Sequence, residues 1–177
     1  MKSSNRLLLL ITVSNLILIW CIALLNSVIG PWGLFLYLPG LFLLPHYQLL
    51  DPYRVLSSLI LTGLFIDLFF NHFLGVHAVL LGLIFHLSKE FFHLGKQSSK
   101  QIILFQGIAN FLMAFLWFLL CEFENLYSAT WSVGRFLSDI IISTFVLIPI
   151  SFWHTHFCNQ LIQRFEPSFF HIFTHSK

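Results

Sequence analysis

The sequence predicts an all-α integral membrane protein, a bundle of six transmembrane helices. Three observations carry this expectation. Of 177 residues, 58% are hydrophobic and 9% charged, whereas soluble domains are roughly 25% charged. The apolar residues fall in long runs: Leu7–Leu50 and Gln101–Cys121 hold no charge, and Phe136–Gln163 holds only Asp139. Finally, a crossing helix needs ~20 mostly apolar residues, and the chain divides into spans near 7–29, 33–50, 55–73, 75–94, 101–121 and 136–157. A single domain, residues 1–177, holds them all.

The first span follows Lys2 and Arg6, which resemble the head of a signal peptide. Its apolar stretch is too long and lacks a small-x-small cleavage site, so it reads as a retained helix. Pro39, Gly40 and Pro45 interrupt the second span, which is expected to be kinked or partly unwound. Such backbone is tolerated at membrane depth where protein buries it. The alternative is a re-entrant loop, and charge decides between them. With six crossings, eight of the nine Lys and Arg residues share one side, and only Arg135 lies opposite, with Glu122 and Glu124. The positive-inside rule then makes the eight-residue side cytoplasmic and places both termini there.

The third span follows Pro52-Tyr53-Arg54 and contains Asp67, the sole charge between Val55 and Ser88. Asn71 to Gly75 turns the chain sharply into the fourth span. Residues 122–135 form the largest outer connection before the sixth. The Phe-rich tail 158–177, around Pro167, is expected to lie along the inner interface as a short amphipathic segment. Trp32, Tyr127 and Trp131 fall near the outer boundary, with Tyr47, Tyr53 and Trp153 near the inner one, as an interfacial belt requires.

A formal charge of +2 without a dense basic cluster argues against nucleic acid. Cys21, Cys121 and Cys158 have no metal-like spacing and are expected to be free, packed thiols. A carboxylate in hydrocarbon costs a few kcal/mol, so Asp67 marks a polar interior position. At 3.6 residues per turn, Gly63, Asp67 and Asn71 share a helix face, with Ser58 and Thr62 near it. Gln106, Asn110 and Ala114 make a similar stripe on the fifth span. Asp139 and Ser143 lie four apart on the sixth, and the first contributes Asn15. These faces are expected to converge inside the bundle. Asp67, Asn71, His77 and Asp139 then line or support an outward-facing polar pocket with Arg135 as counter-ion, or simply fasten helices together.

Nine histidines raise the question of a metal. His77 and His86 point to opposite faces of their helix, His86 and His93 are too far apart to chelate alone, and His171 and His175 lack a third ligand. No metal site or cofactor is expected. GxSxG, HExxH and GxxxxGK[ST] are all absent, so no catalytic residue is assigned.

The stretch Pro52 to Leu83 resembles the rod shape-determining protein MreD family. The residues that carry the likeness are Pro52-Tyr53-Arg54, then Gly63-x-x-x-Asp67-Leu68, then Leu74-Gly75-x-His77-Ala78 and an apolar helix. Pro149 in the last span resembles a late proline common in that family, while an early Pro-Asp/Asn-Leu-Leu motif is not clearly matched. The resemblance implies signature residues at Gly63, Asp67, Leu74, Gly75 and His77. It implies a fold related to the substrate-binding S components of energy-coupling-factor transporters. It also implies a non-catalytic scaffold of peptidoglycan elongation in the bacterial cell inner membrane. The partners would be an MreC-like single-span protein and, through it, MreB, RodA and a class B penicillin-binding protein. The alternative is a small-molecule-binding S component itself. Against it, the docking face A-x-x-x-A usual on the first helix of such proteins is missing, since the first span has only Ala23.

Overall fold

A computed structural model describes residues 2–44, 51–70, 73–93, 98–124 and 133–165. Its α-helices are α1 (Lys2–Ile29), α2 (Pro52–Phe69), α3 (Val76–His93), α4 (Ser99–Glu124) and α5 (Val133–Phe165), with short 3-10 turns at Gly30–Trp32 and Pro39–Phe42. There is no strand among the described residues. Four helices, α1, α2, α4 and α5, are long and apolar enough to cross a membrane, and the apolar part of α3 is the shorter Val76–Ser88.

Local chemistry sets the helix ends. The Gly30-Pro31 pair stops α1, and Gly33, at φ 75°, returns its N–H to the Gly30 carbonyl. Asp51 caps α2 by accepting from the Tyr53 N–H at 3.1 Å, with Pro52 in the first helical position, where its missing N–H costs nothing. Ser98 and Gln101 form a reciprocal capping box at the start of α4.

Helices α1 and α2 run in the same direction. Arg54 bonds Asn5, Ser58 bonds Thr12 at 2.6 Å, and Thr62 accepts from Asn15 at 3.3 Å. The chain must therefore return the full length of α1 before α2 can begin. We call the end that carries Asn5 and Arg54 basal, and the end that carries Trp32 distal.

The second span, expected over 33–50 as a kinked or partly unwound helix, is described as far as Leu44 and holds no α-helix there. Residues 34–38 are irregular, and a single 3-10 turn follows at Pro39–Phe42. An extended chain advances about 3.3 Å per residue against 1.5 Å in a helix, so an irregular path returns toward the basal end in fewer residues than a helix would need. Among the described residues there are thus five α-helices where six were expected, and residues 34–44 hold no α-helix. Leu36 through Leu44 are all buried among the helices.

Two further expectations change. The sixth span is expected to end near 157, yet α5 continues to Phe165, because Cys158 still packs into the core and no Pro or Gly occurs between Phe157 and Pro167. Only residues 166–177 of the expected tail remain, and they lie outside the described residues, as does most of the 122–135 connection. Cys21 is exposed on the outer face of α1 rather than packed, whereas Cys158 is buried and both are free.

Candidate functional site

The polar stripes read from the sequence do converge: Asn15, Ser58, Thr62, Asp67, Gln106, Asn110, Asp139 and Ser143 are all buried. Two structures arise from them, a carboxylate-centred cluster at the α2–α3 hairpin and a ladder of side chains along the unwound segment.

Gly63 makes the hairpin possible. A Cβ there would fall on the backbone of His77 and Ala78, so only glycine lets α3 start this close to α2. One turn later, Asp67 points at the first turn of α3. Its Oδ2 accepts from the Gly75 N–H at 2.7 Å, and its Oδ1 accepts from the His77 N–H at 3.3 Å. Oδ1 also lies 2.6 Å from His77 Nδ1. Asp67 thus caps a helix to which it does not belong, and satisfies amide donors that any α-helix leaves free at its start. Gly75 turns the chain at φ 101°, a conformation that favours glycine.

His77 passes the connection on. Its Nε2 is 2.7 Å from the Tyr37 hydroxyl. With its proton on Nδ1, the ring donates to Asp67 and accepts from Tyr37; doubly protonated, it donates to both. Asp67 and His77 are both 0% exposed. The Tyr37 ring stacks on Trp117 of α4, with centroids 5.8 Å apart.

Tyr37 belongs to the unwound segment, whose backbone is held by side chains from three helices. Phe35 N–H donates to Asp139 Oδ1 at 2.9 Å, and Tyr37 N–H donates to Ser143 at 2.8 Å. Asn26 pairs with both backbone groups of Leu36, at 2.7 and 2.9 Å. Asn110 donates to the Tyr37 carbonyl at 2.8 Å and accepts from Gly40 N–H at 3.1 Å. Gln106 donates to the carbonyls of Leu41 and Leu43 at 3.1 and 3.2 Å, and its own carbonyl accepts from Ser151. Gly40 lies against α4 where a Cβ would strike the Gln106 carbonyl and Asn110. These bonds replace the internal pairing that a helix would have supplied, and an unpaired buried amide or carbonyl costs about 1–3 kcal/mol.

The predicted site residues therefore separate. Gly63, Asp67, Gly75 and His77 come together at the hairpin. Asp139 joins the ladder instead, with Arg135 Nε 3.9 Å from its Oδ2. Leu74 is 67% exposed and takes no part in the polar cluster. Asn71 lies outside the described residues. Sequence reasoning missed Tyr37, Asn26 and Trp117. The signal for them was the irregular second span, whose backbone had to find partners on its neighbours.

A cavity of about 170 Å³ lies between the basal parts of α4 and α5, lined by Ile102, Ile103, Phe152, Thr155, His156 and Asn159. None of the hairpin or ladder residues lines it. Among the described residues, no three His, Cys, Asp or Glu side chains gather as a metal site would require. Comparison of the chain with protein-family models, curated proteins and solved structures returns no match.

Proposed function

We propose that this chain is a non-catalytic integral membrane scaffold that crosses the bilayer six times, five times as helix and once as the unwound segment. On this reading both termini are cytoplasmic, and the membrane is a bacterial inner membrane. The observation that carries the proposal is what the buried polar atoms do. Both oxygens of Asp67, both ring nitrogens of His77, and the amides of Gln106 and Asn110 are all engaged with the protein itself. A site built for a ligand or for chemistry would leave such groups facing a cavity. Here they hold one chain path in one shape.

The resemblance to MreD fits this use, since four of its five signature residues meet at the hairpin and serve its geometry. On that reading the partners are an MreC-like single-span protein and, through it, MreB, RodA and a class B penicillin-binding protein. In lipid, packing and interhelical hydrogen bonds must supply the affinity for a partner helix, and each bond contributes only about 0.6 kcal/mol. A rigid bundle that presents long apolar faces suits that requirement.

Gentle detergent extraction of the tagged protein tests the proposal. Recovery of a one-span coiled-coil protein, together with rounding of cells on depletion, is the expected result. Recovery of a transporter ATPase module would make the chain a substrate-binding subunit instead.

A further inference from the structure

We propose that the cleft between the basal parts of α4 and α5 seats the glycerol-phosphate end of one anionic phospholipid from the basal leaflet. The proposal rests on the membrane-spanning reading and adds a ligand to it, at a place apart from the hairpin and the ladder. Three observations converge on it.

The first is position. Gln106 bonds Ser151, and the rings of Phe118 and Phe136 have centroids 4.7 Å apart, so α4 and α5 run antiparallel in fixed register. That register sets Ile102 and Ile103 level with Thr155 and His156, and Asn159 level with Ser98, just before α4 begins. From Ser151 to Asn159, α5 rises about 12 Å. The cleft thus occupies the levels between the Gln106–Ser151 bond and the basal boundary, where a lipid's glycerol and the first carbons of its chains lie. Its volume, about 170 Å³, suits that end of a lipid rather than a whole one.

The second is the lining. Phe152 is innermost, Ile102 and Ile103 stand opposite Thr155 and His156, and Asn159 is outermost, so polarity rises toward the boundary. Thr155 gives the sharper signal. Thr12, Thr62 and Thr144 each return the hydroxyl to the carbonyl four residues back. Thr155 does not: it lines the cleft, is 9% exposed, and its Oγ1 has no hydrogen-bond partner among the described residues. A buried hydroxyl without a partner costs free energy, and an ester or phosphate oxygen in the cleft accepts its O–H.

The third is charge. From Ser98 to Cys121 and from Ile140 to Phe165 there is no Asp or Glu, while Lys100 and Arg164, both exposed, stand at the basal ends of the two helices. The start of α4 adds amide donors and the partial positive charge of a helix N-terminus. Basic clefts between helices on the cytoplasmic side are where anionic headgroups bind. Phosphatidylcholine carries the same phosphate with a quaternary ammonium, which this charge disfavours.

The test is native mass spectrometry of the full chain in detergent, titrated with phosphatidylglycerol or phosphatidylcholine of identical acyl chains. Phosphatidylglycerol should bind as a single copy, with an apparent affinity about fivefold or more above phosphatidylcholine. Thr155→Val, which keeps the side-chain volume, should weaken phosphatidylglycerol by a similar factor, and Lys100→Glu, on the surface, should erase the preference. Lys100→Glu alone decides should Thr155→Val fail to fold. Equal affinity of the wild-type chain for the two lipids, wild-type affinity in Thr155→Val, or wild-type preference in Lys100→Glu overturns the proposal. Inorganic phosphate bound without lipid, and lost in the same variants, makes the ligand a soluble phosphate and overturns the lipid assignment. Carbonate washing of vesicles that hold the chain separates the two ideas. A chain that stays in the pellet yet shows no preference loses the lipid site and keeps the spanning bundle. A chain released to the supernatant loses both.

Discussion

Asp67 Oδ1 and His77 Nδ1 lie 2.6 Å apart in a site closed to solvent, and the far side of the same imidazole meets the Tyr37 hydroxyl at 2.7 Å. One carboxylate on α2 therefore fixes the start of α3 and, through a single ring, the unwound return segment. This joins the hairpin to the ladder, and several expected outcomes follow from the bonds involved.

Replacing Asp67 separates capping from charge. Asp67→Leu strips the acceptor from Gly75 N–H, His77 N–H and His77 Nδ1, and should cost about 3 kcal/mol or more. Asp67→Asn keeps an amide oxygen for one of these donors and should cost less. Unfolding of the purified protein in mixed detergent and SDS reads the order wild type, Asn, Leu. Equal stability of the Leu variant would remove Asp67 from the architecture.

Tyr37→Phe keeps the ring on Trp117 and leaves His77 Nε2 without the hydroxyl, for a loss of about 1–3 kcal/mol. Combined with Asp67→Asn, the losses should be non-additive, with a coupling of about 0.5 kcal/mol or more, as for groups in one hydrogen-bond network. Strict additivity would mean that the two bonds act independently.

The glycines give an internal contrast. Gly63→Ala and Gly40→Ala place a methyl on the neighbouring backbone and should destabilise by about 1–3 kcal/mol or shift the helices apart. Gly107→Ala has open space around its Cβ and should be neutral or stabilising by up to about 1 kcal/mol. The same unfolding assay reads all three.

The ladder predicts local rather than global effects. Asn110→Leu frees the Tyr37 carbonyl and the Gly40 N–H, and Gln106→Leu frees the carbonyls of Leu41 and Leu43. Hydrogen–deuterium exchange over residues 34–44 should accelerate in both variants, and more than in helix α1. Ser151→Ala, which removes only the partner that orients Gln106, should show a smaller change in the same peptide.

The helices were legible because each carries an apolar run with identifiable stops, and α1, α2, α3 and α4 begin and end within a few residues of expectation. The polar stripes were legible as stripes, because Gln106 and Asn110, or Asp139 and Ser143, recur at the helical period. Their partners were not. An amide stripe looks the same whether it meets another helix or an extended chain, and only the second span's Pro39-Gly40 hinted at the latter. Tyr37 stood forty residues from His77 with nothing local to link them. Leu74 shares a motif with Gly75 and His77 yet faces outward, because sequence proximity in a turn does not fix side-chain direction.

Residues 36–44 run buried between Trp32 and Tyr53, which are 75% and 84% exposed at opposite ends of the bundle. Single cysteines at these two positions, in a background without the native cysteines, report that placement directly when intact cells are treated with a membrane-impermeant maleimide. Trp32→Cys should label from outside and Tyr53→Cys only after the membrane is opened. Labelling of both from the same side would contradict the unwound crossing, and with it the six-pass scaffold.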